Sequence, residues 1–355
     1  MSALDTPEAI RAGEELEDHA TLAAHLRANI PGCAGPLTIR QFPSGYSNLT
    51  YLLRFGKREF VLRRPPFGTK AKSAHDMGRE FRVLNALHPH FPQAPKPLLH
   101  EAGEALLGAP FYVMERISGV IVRKQFPEDY TLSPQQHAGL AHSMFERLAV
   151  LHTVDFTAVG LGELGCPEGY VRRQVEGWSR RWVNAVTDDS PNCDEVIAWL
   201  HECIPETSCP ALIHNDYKLD NLVLDPENPL RIIGVLDWEM ATLGDPLLDL
   251  GVSIAYWIHA DDPESLQKFR MAPVHLPGFP TRREAVRIYE ECSGISIPDF
   301  TFYYAFGLFR HAVVMQQIYY RYYHGQTQDE RFAGLTPMVE ALLKQTTRVQ
   351  QTGEW

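Results

Sequence analysis

The chain has 355 residues, of which 45% are hydrophobic, and it carries a formal net charge of −11 at pH 7. This length predicts two domains or one two-lobed enzyme, large enough to form a core without disulfides or a structural metal. The acidic balance argues against nucleic acid as a partner, because contacts to its phosphates need clustered lysines and arginines.

The cellular setting is read from what the chain lacks. It has no apolar run of about 18 residues, which argues against a membrane-spanning helix and a membrane partner. Its N-terminal segment contains Glu15, Glu17 and Asp18 and lacks the apolar stretch of a signal peptide. Its six cysteines are scattered and form no C-x-x-C pair, which is typical of reduced intracellular thiols. We therefore expect a cytoplasmic protein, and the sequence leaves its oligomeric state open.

The first third of the chain predicts one helix followed by a small antiparallel sheet. Residues 5–30 have helical spacing, with Thr6-Pro7 as N-cap and first helical residue. Short β-type runs with turns between them follow. The predicted elements are strands over 38–42, 49–55 and 59–63, a helix over 77–88, and a hairpin of 106–107 with 111–115.

The remainder predicts a mostly helical region with a few short strands. The predicted helices cover 134–152, 170–187, 192–204, 245–258, 281–293, 299–324 and 335–349, and the strands lie at 223–224 and 232–236. Residues 259–280 contain four prolines and read as a long functional loop. Together these patterns predict an α+β chain with a β-rich N-lobe over residues 1–116 and a larger helical C-lobe over 117–355. Ligands are usually held in clefts between such lobes.

Two motifs in the C-lobe point to phosphoryl transfer. Asp216 and Asn221 stand five residues apart, and Asp237 follows the apolar run 232–236. In a kinase-type site one carboxylate orients the attacking hydroxyl, while an amide and a second carboxylate hold Mg²⁺ on the nucleotide phosphates. We therefore assign Asp216 as the catalytic base and Asn221 and Asp237 as metal ligands. The alternative for Asp216 alone is a turn cap, since Asn215-Asp216 is turn-prone.

Two neighbours of Asp216 are further candidates. His214 is expected to anchor the loop through ring hydrogen bonds, with a satisfied core histidine as the alternative. Lys218 is a candidate for contact with the transferred phosphoryl group or the acceptor, with a solvated lysine as the alternative. A zinc site is a weaker hypothesis, because its spacing fits no common zinc pattern. It would comprise His201, Cys203, Cys209 and His214.

The two motifs, HNDYKLDN at 214–221 and LDWEMATLGDPLLDLG at 236–251, resemble the aminoglycoside phosphotransferase and choline kinase-like family. In pattern they look like the branch found as a kinase-like domain fused to certain acyl-CoA dehydrogenases. The resemblance covers roughly residues 35–325. It implies a protein-kinase-like two-lobed fold, ATP and Mg²⁺ as cofactors, Asp216 as base and Asn221 and Asp237 on the metal. It also implies that Asp249 braces the catalytic loop from the following helix.

The same resemblance implies a nucleotide site in the N-lobe. A strand–turn–strand at 42–50 would cover the phosphates, although its single glycine is also compatible with a plain hairpin. Arg63 stands where the family has a lysine, which is a departure, because a guanidinium binds phosphate as a planar fork. The implied nucleotide-site residues are Ser44, Ser47 and Asn48 on the phosphates, Val61 over the adenine, Arg63 with its partner Glu80, and the carbonyl of Glu115 and N–H of Ile117 on the adenine edge.

The acceptor is predicted less directly. The branch resemblance suggests a hydroxy acid or a hydroxyacyl-CoA, and Arg310 is a candidate contact for an acidic group, unless it pairs with a neighbouring carboxylate. An aminoglycoside or amino-alcohol acceptor would instead need carboxylates in the cleft, for which Asp261, Asp262 and Glu264 are candidates. A non-catalytic nucleotide-binding scaffold is a further alternative, motivated by Arg63. A protein kinase is disfavoured, because Gly244-Asp245-Pro246 follows Asp237 too soon for an activation loop.

Overall fold

The structure is a computed structural model that describes residues 6–42, 48–67, 76–206 and 209–355. The predicted phosphate contacts Ser44 and Ser47 lie outside these ranges. The described residues confirm the predicted α+β architecture, in which an antiparallel sheet precedes a mostly helical region.

The N-terminal region is built on one five-stranded antiparallel sheet with the order β1-β2-β3-β5-β4. A helix precedes the sheet, and a second helix lies between its third and fourth strands. The elements are α1 (His19–Asn29), β1 (Leu37–Gln41), β2 (Leu49–Phe55), β3 (Arg58–Arg64), α2 (Met77–Leu87), β4 (Pro97–Glu101) and β5 (Phe111–Glu115).

The C-terminal region consists of helices with two short β-ribbons between them. The ribbons pair β6 with β9 and β7 with β8. The elements are α3 (Pro134–His152), α4 (Tyr170–Val183), α5 (Asp194–Glu202), β6 (Ala211–Ile213), β7 (Leu222–Leu224), β8 (Ile232–Val235), β9 (Thr242–Gly244), α6 (Pro246–Ala255), α7 (Glu264–Gln267), α8 (Arg282–Ser293), α9 (Thr301–Tyr323) and α10 (Thr336–Thr352). Among the described helices, none combines the length and the apolar character that crossing a membrane would require.

The two faces of the five-stranded sheet pack in two different apolar clusters. Alternate side chains such as Leu53 and Leu62 pack with Leu26 of α1 in one apolar cluster. The opposite face, which includes Val61 and Met114, joins the main apolar cluster of the C-terminal helices. Because side chains alternate along a strand, Arg63 of β3 shares the face of Val61 and is directed toward the C-terminal region.

The prediction of a helix from residue 5 is wrong for the described residues before His19. Glu8 exchanges two backbone hydrogen bonds with Gln41, of 2.7 and 3.1 Å, and so extends the edge of the sheet at β1. The helix begins only after Asp18, whose side chain accepts a hydrogen bond from the N–H of Thr21 (2.9 Å). Thr6-Pro7 therefore does not start the helix, because pairing with a sheet edge replaces the local helical preference.

The predicted hairpin partner of β5 is also wrong. Leu106 and Leu107 form no strand, and β5 pairs instead with β4, which starts at Pro97. Proline is tolerated there because it opens an edge strand, where its missing N–H is not needed. Leu106 and Leu107 lie in a turn before β5. The carbonyl of Leu107 accepts a hydrogen bond from Arg64 of β3 (2.9 Å), which holds this turn against the sheet.

A tight crossing connects the sheet to the C-terminal region. After β5, Val120 and Leu224 of β7 exchange two backbone hydrogen bonds of 2.9 and 2.8 Å. A Cβ on Gly119 would lie 2.4 Å from the carbonyl oxygen of Leu224. Glycine is required here by the close approach of two backbones, and its φ is not left-handed.

We therefore predict that Gly119→Ala destabilises the protein by about 1–3 kcal/mol, because the new methyl group must displace β7. Gly162→Ala is the matched control, since a Cβ at Gly162 meets nothing within 4 Å. Urea unfolding of both variants measures the difference. If the two variants are equally stable, the backbone at Gly119 accommodates a methyl group without loss of stability, which would contradict this prediction.

Candidate active site

Residues 214–221, which the sequence assigns as the catalytic loop, lie between β6 and β7, and one buried carboxylate holds them. Asp249 of α6 is fully buried and accepts hydrogen bonds from the backbone N–H groups of His214 and Asn215, both at 2.7 Å. His152, at the end of α3, contacts the same carboxylate through Nε2 at 3.2 Å. Burial alone would raise the pKa of Asp249, but His152 and the loop N–H groups hold it below its usual value. Asp249 is therefore an anion fixed by three donors.

Two residues of the site have a backbone conformation that side chains disfavour. Asn215 has a φ of 67° and Asp237 a φ of 68°, and they are the only non-glycine residues with positive φ in the described part of the chain. Such strained positions persist only where the surroundings hold them, and they cluster at functional sites. Each is next to, or is itself, a residue assigned from the sequence.

His214 links the loop to the strand end that carries Asp237. Its Nε2 lies 3.0 Å from the carbonyl oxygen of Leu236, and its Nδ1 accepts a hydrogen bond from the N–H of Asp216 at 3.3 Å. A carbonyl can only accept, so Nε2 carries the proton and the ring acts as a neutral bridge. The ring also lies against Trp238, with centroids 4.8 Å apart.

The Asp216 carboxylate is held on both oxygens and remains about one-fifth exposed. The Nδ2 of Asn221 donates to Oδ2 at 3.1 Å and to the backbone carbonyl of Asp216 at 2.8 Å. The hydroxyl of Tyr256 donates to Oδ1 at 3.2 Å. Because the amide nitrogen of Asn221 is directed at Asp216, its oxygen is directed away from Asp216.

Lys218 belongs to this cluster. Its Nζ lies 3.1 Å from the Asp216 carboxylate, 3.8 Å from Asp220 and 5.2 Å from the ring centre of Tyr256. Burial alone would lower the pKa of Lys218, but Tyr256 and the two carboxylates raise it above its usual value. Lys218 is therefore a charged ammonium group beside Asp216, and the geometry disfavours the alternative of a solvated lysine.

Arg63 ties the sheet to the second motif. Its guanidinium lies 2.9 Å from Glu80 of α2, 3.0 Å from Asp237 and 3.3 Å from Glu239. The Arg63 and Glu80 side chains are 10% and 2% exposed, so this pair is buried. Burial alone would raise the pKa of Asp237, but Arg63 holds it below the usual value. The predicted partnership of Arg63 with Glu80 is present in this geometry.

The other nucleotide-site assignments occupy a common region. Asn48, directly before β2, donates to Glu239 at 2.7 Å, and Val61 lies on the Arg63 face of the sheet. Glu115 ends β5, and Ile117 follows it at the crossing to the C-terminal region.

Arg310 of α9 is buried and donates to the backbone carbonyl of Asn215 at 2.6 Å. It therefore contacts the catalytic loop, and among the described residues its hydrogen-bonding partners are Asn215 and Met240 and not a carboxylate.

Three residues of the site were missed by sequence reasoning. Glu239 stands two positions after Asp237 inside the quoted motif, and this short spacing was an available signal. Tyr256 follows Asp249 by seven positions, which places both on one face of a helix. His152 gave no signal, because it lies 97 residues from its partner Asp249.

The donor set fits Mg²⁺ and not zinc. The amide oxygen of Asn221 and the carboxylates of Asp237 and Glu239 are hard oxygen ligands of the kind that Mg²⁺ prefers. Within the described ranges, no three His, Cys, Asp or Glu side chains come together as a metal cluster. His214 of the zinc hypothesis instead contacts Leu236 through Nε2.

Sequence comparison identifies proteins that are similar to this chain. The model of the "Phosphotransferase enzyme family" matches residues 38–284. Acyl-CoA dehydrogenase family member 11 of Rattus norvegicus is 35% identical over 327 residues, which cover 88% of this chain and 41% of that protein. The chain thus spans less than half the length of this relative.

Solved structures show the same fold. A Ralstonia eutropha protein provisionally named an aminoglycoside phosphotransferase is 32% identical, with a TM-score of 0.78 over 93% of this chain and 98% of its own. Choline kinase from Cryptosporidium parvum is 12% identical, with a TM-score of 0.64 over 95% and 97% of the two chains. The predicted protein-kinase-like fold is confirmed by these neighbours.

We predict that Arg63→Met destabilises the protein by about 3–5 kcal/mol, because it leaves the buried Glu80 carboxylate without its cation. Arg54→Met is the matched control on β2, since the Arg54 side chain is 52% exposed and pairs with Glu59 at the surface. The control should cost less than about 1 kcal/mol. Urea unfolding compares the two, and similar losses would contradict the role given to burial.

A second prediction concerns acid. Since folding lowers the pKa of Asp249, its contribution to stability is complete above the ordinary aspartate pKa of about 3.9 and is lost as the pH falls through the folded value. Asp249→Asn should cost about 3 kcal/mol or more at pH 7, because an amide cannot accept from all three donors. The difference in the free energy of unfolding between this variant and the wild type should become smaller below about pH 4.

The measurement is urea unfolding between pH 7 and 3.5 at constant ionic strength. Asp188→Asn, at an exposed position, is the control and should track the wild type throughout. If the difference in the free energy of unfolding between Asp249→Asn and the wild type does not change with pH, the carboxylate of Asp249 is not an anion in the folded wild-type protein.

Proposed function

The chain belongs to the phosphotransferase enzyme family, and from this premise we propose that it is a kinase that transfers the γ-phosphate of Mg·ATP to a hydroxyl of a small molecule. The observation that carries the proposal is the Asp216 carboxylate. Asn221, Tyr256 and Lys218 hold it at 3.1–3.2 Å while it stays partly exposed.

The proposed chemistry of the loop is positioning. Asp216 accepts a hydrogen bond from the acceptor hydroxyl, aims its oxygen at the phosphorus and receives its proton late in the transfer. The hydrogen bond from Tyr256 (3.2 Å) and the ammonium group of Lys218 (3.1 Å) hold the Asp216 carboxylate in one orientation for this role. Lys218 also places a positive charge where negative charge develops on the transferred group.

The residues that would hold the nucleotide come from the five-stranded sheet and from the segments that follow β6 and β8. Asn221, Asp237 and Glu239 would hold Mg²⁺, which when bound neutralises charge on the phosphates. Arg63, placed by Glu80, would donate to phosphate oxygens, and Asn48 would approach them from the start of β2. In the sequence-based assignment, the remaining nucleotide contacts are Ser44 and Ser47 on the phosphates, Val61 over the adenine, and Glu115 and Ile117 on its edge.

For the acceptor we propose a hydroxy acid or a hydroxyacyl-CoA. The similarity to an acyl-CoA dehydrogenase family member supports an acyl group as part of the acceptor. The alternative of an aminoglycoside is weakened at Asp262, one of its three candidate carboxylates. Asp262 pairs with Arg282 and accepts from the N–H of His259 at 2.7 Å, so it stabilises the loop and is not directed at a ligand.

A non-catalytic scaffold is the second candidate, because Arg63 replaces the lysine of the family. Arg63 nevertheless contacts Glu80, which is the partner that an active kinase requires. The two candidates differ in one measurable property, since the scaffold binds ATP without releasing ADP when an acceptor is added.

We predict that Asp216→Asn lowers acceptor-stimulated ADP release by at least about 100-fold, because the amide cannot take the hydroxyl proton. The Kd for Mg·ATP should change little, since Asp216 is not placed on the nucleotide. Asp225→Asn, an isosteric change outside the site, should retain activity. ADP release and nucleotide calorimetry test this, and unreduced turnover in Asp216→Asn would contradict the mechanism.

A further inference from the structure

A cleft with a volume of about 350 Å³ opens beside the catalytic loop. Its walls come from α4, α9 and the segment between Asp237 and α6. Asn215, the residue directly before Asp216, lies in its lining. The catalytic loop therefore forms part of the wall of this cleft.

The charge of the cleft is positive. Three arginines line it, and the described lining contains no aspartate or glutamate; the arginines are Arg173, Arg181 and Arg310. In a chain with a net charge of −11 such a lining is unexpected. Arg310 is buried at the floor beside Asn215, whereas Arg173 and Arg181 are exposed at the rim.

The arginines are held in place before any ligand binds. The guanidinium of Arg181 lies 4.4 Å, and that of Arg310 5.1 Å, from the ring centre of Trp178. Trp178 is itself fixed, because its Nε1 donates to Gln174 at 3.2 Å. Arg173 is fixed by hydrogen bonds to the carbonyls of Cys166 and Glu168. A fork that is already ordered loses less entropy when it binds an anion.

The two guanidinium groups on Trp178 also repel each other. Burial lowers the pKa of Arg181, and the positive charges of Arg310 and Arg180 lower it further. An anion between Arg181 and Arg310 would relieve this repulsion. The arrangement of these arginines therefore favours the binding of a negatively charged ligand beside the catalytic loop.

We propose that the cleft lined by Arg173, Arg181, Arg310 and Trp178 is the acceptor subsite, and that it selects acceptors by an anionic group, a carboxylate or a phosphate, close to the reacting hydroxyl. This inference rests on the proposed kinase function and adds how the acceptor is recognised. The same lining repels cationic acceptors such as aminoglycosides and amino alcohols. Arg310 acts mainly through Asn215, so Arg181 is the residue whose substitution isolates recognition of the anion.

The test compares three acceptors with one hydroxyl in common. They are 3-hydroxybutyrate, its coenzyme A thioester and the neutral 1,3-butanediol, assayed by ADP release with Mg·ATP. Arg181→Ala should raise the KM of an anionic acceptor about tenfold or more, with kcat and the KM of ATP changed less than about twofold. Arg181→Lys should lie between the wild type and Arg181→Ala, because it keeps the charge and loses the fork.

Arg172→Ala is the matched control, because it removes an exposed charge of α4 that is outside the cleft lining and is not one of the charges that shift the pKa of Arg181. It should leave each KM near the wild-type value. An effect on the free acid identifies a carboxylate as the anion, and an effect on the thioester identifies the coenzyme A phosphates. An unchanged KM for both in Arg181→Ala, or equal use of the diol by the wild type, overturns the proposal.

Failure of the kinase function is distinguished by a binding measurement without nucleotide. If no acceptor stimulates ADP release, calorimetry of the full chain with 3-hydroxybutyrate and with coenzyme A decides the matter. Binding that weakens in Arg181→Ala but not in Arg172→Ala retains the anion site and rejects only the kinase. Absence of binding by the wild type rejects the anion site as well.

Discussion

The site depends on one buried carboxylate, that of Asp249. Its burial would be unfavourable in isolation, and three hydrogen bonds compensate for it. Two of those bonds come from consecutive backbone N–H groups, and they hold Asn215 in its left-handed conformation. Asn215 directly precedes Asp216, so the position of the proposed base is determined from inside the helical core.

A second ionic cluster joins the sheet to this core. Arg63 contacts one carboxylate from α2 and two from the motif after β8. The contacts to Asp237 and Glu239 join residues 174 and 176 positions apart, and Asn48 adds a further long-range contact through Glu239. Two of the proposed metal ligands, Asp237 and Glu239, are thus held by a cation from the five-stranded sheet. A lysine would have difficulty contacting all three carboxylates, since only a guanidinium presents several donors in one plane.

Much of this arrangement could be predicted because its signals are local. Asp216, Asn221 and Asp237 stand in short motifs, and strand alternation places Val61 and Arg63 on one face. The contacts that were missed are long-range. Glu8 pairs with Gln41, β4 replaces the 106–107 segment, and His152 reaches Asp249 across 97 residues. Local patterns do not specify such partners, because the choice is made by packing of the whole chain. The arginine-lined cleft was missed for the same reason, as its residues come from α4 and α9.

The central claim is that this protein phosphorylates a hydroxyl group of a small molecule, and that it selects this molecule by its negative charge. The most direct test is ³¹P NMR of the full chain incubated with Mg·ATP and, separately, a hydroxy acid, its coenzyme A thioester, an aminoglycoside and choline. We predict a phosphate monoester signal with the hydroxy acid or the thioester and none with the two cations. ATP binding without a monoester on any acceptor, or a monoester on a cationic acceptor alone, would contradict this account.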